Sequence, residues 1–418
     1  MQGQMVREWP LVAGFSAEQI RNGLVWLMFA VSFVVFVEPA PVDVMFLTVL
    51  VGFFSGRFNP SISIMPLIMM LIVYNIGGIG SFFAETPDPK AVMFVITSFY
   101  MALSAMVIAL YVSEDTDRRF NIIRSGLIVG GTIAAILGLL DYFQVGGLFR
   151  NTPLPGRATG AFKDPNVFST YLILPAMMII QGLIAGTFRR PVIHLCILGL
   201  LALAIFLSFS RGAWVNFFSA AVLVAGLSFI FPPRRDSRMR VVFLVVGAIF
   251  VGFIGFSLIM SIPSTREMFI QRFALVQYYD AGETGRFGNQ LRSIPALMVS
   301  PLGFGPLNFN KIYGQDPHNT FVNAFASYGW LGGVTYFTLI LSTIYAGVRS
   351  IWIKTPWQGP AIAVFAPTLT TILQGIQIDT DHWRHFYWLI GLTWGFFALS
   401  TMVTSRHVVP PLNQPMRA

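Results

Sequence analysis

The chain has 418 residues, of which 55% are hydrophobic and only 11% are charged. Soluble domains carry about 25% charged residues, so this composition excludes an ordinary soluble enzyme and predicts an all-α polytopic membrane protein. The net charge of +9 does not indicate nucleic-acid binding, because most basic residues occupy short loops between apolar runs. We expect one integral membrane domain over residues 1–418, with the sole cysteine, Cys196, as a buried thiol.

In chain order, the apolar runs predict twelve membrane-spanning helices. A helix needs about 20 residues to cross the hydrocarbon core of a bilayer. No clear signal-peptide cleavage site follows the first run, which is therefore read as an uncleaved helix. The tenth run is long enough for a shorter span and a turn outside the membrane. The predicted spans are 20–37, 41–56, 62–80, 91–112, 122–140, 167–186, 192–208, 212–231, 241–260, 319–348, 360–378 and 386–403.

Basic residues fall on every second loop, and by the positive-inside rule these loops are cytoplasmic. Both termini are then inside the cell, and the segments 141–166, 261–317 and 379–385 face outward. A missed helix would put strongly basic loops on both sides of the membrane. The residues that set this orientation are Arg57, Arg118, Arg119, Arg189, Arg190, Arg234, Arg235, Arg238, Arg240, Arg349, Lys354 and Arg406.

The outward loop 261–317 separates the ninth and tenth predicted helices and collects a large share of the ionisable residues. The helix interiors contain almost no Asp, Glu, Lys or Arg, which disfavours an ion-coupled transporter, because such proteins keep ionisable groups at mid-membrane. The chemistry is therefore expected at the loop. Since nucleotide donors are cytoplasmic, an outward site must use a donor that has already crossed the membrane.

Three outward segments carry polar motifs in a fixed order. Residues 156–166 read Gly-Arg-Ala-Thr-Gly-Ala-Phe-Lys-Asp-Pro-Asn, and residues 208–214 read Ser-Phe-Ser-Arg-Gly-Ala-Trp. The long loop holds Thr-Gly-Arg-Phe at 284–287, Pro-Leu-Gly-Phe-Gly at 301–305 and Asp-Pro-His-Asn at 316–319. Each motif alone is weak, but the ordered set resembles the O-antigen ligase and polysaccharide polymerase superfamily.

The resemblance implies an inverting membrane glycosyltransferase of the GT-C kind in the bacterial inner membrane, surrounded by membrane lipids and independent of cofactors and metals. Such enzymes take a glycan from an undecaprenyl-diphosphate carrier on the periplasmic face. A ligase transfers it to the core sugars of lipid A, whereas an O-antigen or exopolysaccharide polymerase transfers it to a second carrier-linked glycan. No residue separates these acceptors; the ligase is favoured narrowly. A polyprenyl-glycan transporter or flippase is the alternative from another class.

Three arginines match the superfamily's outward arginines, and we expect them to bind the donor diphosphate. A planar guanidinium pairs two phosphate oxygens at once and stabilises the charge that develops on the leaving group. The three are Arg157 in the first segment, Arg211 in the second and Arg286 in the long loop. The structural alternatives are snorkelling to lipid headgroups for Arg211 and a solvated loop charge for Arg286.

His318 matches the superfamily's histidine before the tenth helix. We expect it to act as the general base on the acceptor hydroxyl, or to position that hydroxyl, because its ordinary pKa lies near 6.5. A helix cap beside Asn319 is the structural alternative. Asp316 is a candidate for orienting the imidazole. Lys163 is a candidate phosphate contact, whereas Asp164 is expected to cap the sixth helix.

The one metal-like cluster combines two carboxylates with a His-x-x-His spacing. We expect no metal there, because no third ligand at typical spacing is evident and the resemblance implies none. An outer loop bordering the acceptor groove is the alternative interpretation. The cluster consists of Asp379, Asp381, His382 and His385.

Overall fold

The computed structural model describes residues 16–37, 39–54, 61–85, 88–145, 156–273, 282–283 and 285–408. These residues form sixteen α-helices and no strand, as predicted for an all-α protein. Two 3₁₀ turns, Ile62–Ile64 and Ser81–Phe83, flank α3. In chain order the helices are α1 (Ala17–Ala30), α2 (Pro41–Phe54), α3 (Met65–Gly80), α4 (Pro89–Glu114), α5 (Thr116–Tyr142), α6 (Pro165–Tyr171), α7 (Ile173–Ala185), α8 (Pro191–Leu207), α9 (Arg211–Ile230), α10 (Ser237–Met260), α11 (Pro263–Phe273), α12 (Arg286–Met298), α13 (Phe309–Tyr313), α14 (Thr320–Trp352), α15 (Gln358–Gln374) and α16 (Arg384–Val408).

Several helices begin and end at residues whose local chemistry favours a terminus. Ser16 and Gln19 form a capping box at the start of α1. Asp88 accepts from the Ala91 NH at 2.8 Å before α4. The prediction that Asp164 caps a helix is confirmed, because its Oδ1 accepts from an NH in the first turn of α6. Gly186 ends α7 in the left-handed conformation, with φ 66°.

Helical residues occur in each of the twelve predicted spans. By length and apolar composition, seven helical stretches of the described chain can cross a membrane, which fits a polytopic membrane protein. The count of twelve, the GT-C architecture and the orientation stay predictions. Residues 1–15 and 409–418 and the loop residue Arg57 lie outside the described residues. The seven stretches are Ile62–Phe83, α4, α5, Pro165–Ala185, α9, α10 and α14.

The helices pack in layers around α7, α15 and α16. α7 lies against α9, α8 and α15, and α16 lies against α4, α14 and α15. α10 is peripheral, since the most apolar stretch of this helix has no buried residue. Cys196 is exposed on the outer face of α8, so the prediction of a buried thiol is wrong. The first half of α8, which contains Cys196, is largely exposed, whereas Leu201, Ala204, Ile205 and Leu207 in its second half are buried.

A kink at Gly329 divides α14, the predicted long tenth helix. Gly329 has φ 65°, and a Cβ there would lie 2.6 Å from the Pro301 carbonyl oxygen. The freed backbone groups pair with the Pro-Leu-Gly-Phe-Gly segment: the Trp330 NH donates to Pro301 at 2.8 Å, and the Phe304 NH donates to Ala326 at 2.8 Å. The glycines of this motif therefore permit a close approach between two backbones.

The described part of the 261–317 loop folds into three short helices. α11 follows α10 directly, whereas α12 and α13 pack against the first half of α14. Leu297 and Phe309 form a small apolar cluster with Ala326 of α14. Residues 274–281 and 284 lie outside the described residues. The loop is thus anchored by its second half to the helix that carries the His-Asn motif.

Candidate functional site

The first motif segment is fixed by Asp141, at the end of α5. One carboxylate oxygen, Oδ2, accepts from the Thr159 NH at 2.9 Å, the Thr159 hydroxyl at 2.6 Å and the Gly160 NH at 3.0 Å. Asp141 is only 1% exposed. Three hydrogen bonds to one buried carboxylate hold the segment in a single conformation, since each donor would otherwise be buried without a partner.

Arg157 joins the first motif segment to the second. Its Nε donates to the carbonyl oxygen of Ser208 at 2.7 Å, and its Nη2 donates to Oδ1 of Asn166 at 3.2 Å. The Ala158 NH donates to the Leu207 carbonyl at 2.9 Å. Because Arg157 is 7% exposed, its charge lies mostly inside the protein, behind the turn that leads to Arg211.

The second segment is a strained turn between α8 and α9. Phe209 has φ 49°, which a residue with a side chain rarely adopts, and its ring is buried. The hydroxyl of Ser210 accepts from the Ala213 NH and caps α9. Arg211 is the first residue of α9 and is half-buried. The turn thus places this guanidinium at a helix end.

A buried polar network holds α9 against the end of α15. Asn216 donates to Gln374 at 2.6 Å and to the Thr371 hydroxyl at 3.1 Å, and it accepts from the Thr370 hydroxyl at 2.6 Å. Gly212, next to Arg211, has room for the Gln374 amide because it lacks a side chain. The network therefore sets the position of Arg211 relative to the segment that follows α15.

That segment, residues 375–383, is the meeting point of the motifs. Nη1 of Arg286, the first residue of α12, donates to the Gln377 carbonyl at 3.3 Å. One turn later, Gln290 donates to the Pro317 carbonyl at 2.9 Å and to the His318 carbonyl at 3.4 Å. The Thr-Gly-Arg-Phe and Asp-Pro-His-Asn motifs of the long loop are therefore brought together by α12.

Asp379 holds the backbone of His318 and lies beside its ring. Its carboxylate accepts from the His318 NH at 3.0 Å and the Asn319 NH at 2.9 Å, and Oδ2 lies 3.9 Å from Nδ1 of His318. His318 has φ 46°, a strained conformation that the two NH bonds sustain. Burial, followed by the nearby carboxylates of Asp381 and Asp316, raises the pKa of Asp379 well above its ordinary value.

The other predicted site residues have distinct environments. Asn319 caps α14, because its Oδ1 accepts from the NH groups of Phe321 and Val322. The imidazole of His318 therefore takes no part in the cap. The exposed carboxylate of Asp316 accepts from Asn310 at 3.2 Å. Lys163 is exposed, just before α6.

The predicted metal-like cluster is divided among separate contacts. Asp381 accepts from Asn323 at 2.8 Å and lies 3.2 Å from Nδ1 of His382. His382 stacks on Phe94 of α4 at 3.7 Å, whereas His385 is buried beside Tyr171. Among the described residues, no group of three or more His, Cys, Asp or Glu side chains is placed to hold a metal ion.

Comparison with known families supports the predicted resemblance over part of the chain. The family model described as O-antigen ligase matches residues 196–337, which run from α8 through the kink of α14. Residues 196–337 are O-antigen ligase-like. The predicted resemblance is confirmed over this region, and it implies a membrane glycosyltransferase of the ligase and polymerase type. No curated protein matches the chain.

The O-antigen ligase-like region contains Arg211, Arg286 and His318, but the first motif segment and the 375–383 segment lie outside it. Sequence reasoning missed Asp141 and Gln290 and assigned Asp379 only to a metal-like cluster. The signal that could have identified Asp141 is its position as a lone acidic residue at the end of an apolar run, just before the first motif segment. Gln290 stands four residues after Arg286, on the same helix face.

Proposed function

We propose that the protein is an inverting glycosyltransferase of the inner membrane, with its site on the periplasmic face. It transfers a glycan from undecaprenyl diphosphate to the core sugars of lipid A, as an O-antigen ligase does. The observation that carries this proposal is the convergence of Arg286, His318 and the end of α15 on the 375–383 segment. The match to the O-antigen ligase model over residues 196–337 supports the same reaction class.

The arginines are proposed to bind the leaving diphosphate. Arg211 and Arg286 adjoin the same end of α15, Arg211 through Gly212 and Gln374, and Arg286 through Gln377. Positive charge placed where negative charge develops lowers the barrier most when it is fixed in advance. Arg157 adds a buried charge behind the turn, and its hydrogen bonds to Ser208 and Asn166 keep that turn in place. Lys163, exposed just before α6, is a supporting candidate for phosphate contact.

His318 is proposed to take the proton of the acceptor. The acceptor hydroxyl oxygen attacks the anomeric carbon, the bond from that carbon to the phosphate oxygen breaks, and its electron pair leaves with the diphosphate. The hydroxyl proton passes to the imidazole. Asp379, 3.9 Å from Nδ1, stabilises the resulting imidazolium. Burial raises the pKa of Asp379 and so disfavours its carboxylate, and a positive imidazolium beside it opposes that shift. Asn319 caps α14 next to His318, and Asp316 accepts a hydrogen bond from Asn310 in the loop.

The test is complementation of a strain that lacks the gene. His318→Ala and Arg286→Ala are expected to abolish the long glycan on lipid A, whereas Arg292→Ala, on the same helix α12, is expected to restore it. Immunoblots of the tagged proteins establish equal expression. Wild-type glycan levels from well-expressed His318→Ala and Arg286→Ala variants would overturn the assignment.

The glycolipids of the same strain separate the alternatives. Free carrier-linked polymer together with unmodified lipid A core supports the ligase. Single carrier-linked repeats alone support a polymerase. Purified protein in liposomes, supplied with carrier-linked donor and acceptor, separates both from a flippase, because only an enzyme forms a new glycosidic bond and releases undecaprenyl diphosphate.

A further inference from the structure

Gln290, on the buried face of α12, is a polar residue to which the proposed reaction gives no role. Its side chain is 8% exposed. The amide Nε2 donates to the Pro317 carbonyl at 2.9 Å and to the His318 carbonyl at 3.4 Å. The amide oxygen, Oε1, accepts from Nδ2 of Asn319 at 3.4 Å. One side chain therefore contacts three consecutive residues around the proposed base.

The two peptide groups that flank the Cα atom of His318 are each hydrogen-bonded at both ends. In the first, the Pro317 carbonyl accepts from Gln290, and the NH on the other side donates to Asp379. In the second, the His318 carbonyl accepts from Gln290, and the following NH donates to Asp379. Because each peptide group is planar, the orientations of these two planes determine the φ and ψ of His318. Gln290 and Asp379 together therefore set the direction in which the imidazole leaves the backbone.

The backbone conformation held in this way is an uncommon one. The φ of His318, 46°, lies in the left-handed region, which residues with a side chain rarely occupy. Such a conformation persists only where the surrounding structure holds it. The side chain of His318 is 33% exposed, so the ring can meet a substrate while hydrogen bonds fix the backbone beneath it. Each of the two residues that supply these bonds is therefore a candidate for controlling the position of the ring.

We propose that Gln290 is a positioning residue for the imidazole of His318. This inference rests on the proposed function, in which that imidazole accepts the proton of the acceptor hydroxyl. Without the Gln290 amide, the two carbonyls lose this donor, and the left-handed backbone relaxes. A base must lie within hydrogen-bond reach of the proton that it takes, so the relaxation slows the transfer. Arg286, one turn earlier on α12, keeps its hydrogen bond to Gln377, so donor binding is expected to be independent of Gln290.

The kinetic test replaces Gln290 with methionine, which has a similar length and volume but no amide. Gln358→Met is the matched control, because the Gln358 amide also donates to a backbone carbonyl, that of Ile351 at 2.8 Å, at the far end of α14. The proteins are assayed in liposomes with an undecaprenyl-diphosphate glycan as donor and lipid A core as acceptor. We expect Gln290→Met to lower kcat about tenfold to a hundredfold, because a misplacement of about 1 Å has effects of that size. Its donor KM should stay near the wild-type value, and the control should match the wild type in both constants.

Amide hydrogen exchange measures the backbone of His318 without any substrate. Because Pro317 has no NH, the amides of His318 and Asn319 can be followed as a pair by mass spectrometry of the purified protein. In Gln290→Met both amides should exchange about tenfold faster than in the wild type, the factor that one hydrogen bond contributes to a local equilibrium. The second half of α14 should keep its wild-type exchange, which shows that the fold is intact.

A wild-type kcat in Gln290→Met would overturn the inference. A low kcat with unchanged exchange at His318 and Asn319 would also overturn it, because the loss would then not pass through this backbone. Faster exchange throughout α14 would do the same, since it would indicate a general loss of stability. The proposed function fails in a different way. A wild-type protein that transfers no glycan contradicts the reaction, while the exchange measurement still decides whether Gln290 holds His318.

Discussion

Replacement of Asp141 should destabilise the first motif segment. In Asp141→Ala, the NH groups of Thr159 and Gly160 and the Thr159 hydroxyl lose their shared acceptor, at distances of 2.6–3.0 Å. Three hydrogen bonds to a charged acceptor, at about 1.5 kcal/mol each, give a loss of about 4.5 kcal/mol in the free energy of unfolding. Asp141→Asn keeps an acceptor oxygen but not its charge, so we expect about half of that loss.

The assay is the melting temperature of the purified variants in detergent, paired with the donor KM in liposomes. Asp117→Ala is the matched control, because Asp117 is an exposed acid on the same helix, worth at most about 1 kcal/mol at its N-terminus. We expect the melting temperature to fall in the order wild type, Asn variant, Ala variant, and the donor KM to rise because Arg157 moves with its segment. An Ala variant as stable as Asp117→Ala would refute the reasoning.

Three further outcomes follow from the site. Arg286→Lys keeps the charge but loses the planar fork, so the donor KM should rise about tenfold, or about 1.4 kcal/mol, while Arg292→Lys stays near wild type in the same assay. Gln374→Leu removes one of the two acceptors of the Asn216 amide and should cost about 1–3 kcal/mol in thermal unfolding; an unchanged melting temperature would contradict the network. The raised pKa of Asp379 means that the folded protein binds this proton more tightly than the unfolded chain. Its contribution to stability should therefore increase as pH falls through the folded pKa and level off below the ordinary aspartate pKa of about 4, and Asp379→Asn should flatten the melting temperature against pH.

The membrane class, the helix positions and the motif order follow from the sequence by itself. Hydropathy and helix length are properties of contiguous residues, and the bilayer requires nearly every span to satisfy its own backbone. Capping by Asp164 depends on neighbours two residues away, and it too was predictable. Arg211, Arg286 and His318 stand in the short motifs that the sequence shows, and their roles in phosphate and proton chemistry stay predictions.

What only the tertiary structure decided is which distant residues meet. The carboxylate beside His318 is Asp379, 61 residues further along the chain, and the sequence suggested the neighbour Asp316 instead. Asp141 and Gln374 act through hydrogen bonds to segments 18 and 158 residues away, and no local pattern encodes such pairings. The exposed position of Cys196 was also decided by the tertiary structure, since an apolar run has the same sequence pattern whether its residues face the core or the periphery. Packing between helices, which depends on the whole chain, selects among these arrangements.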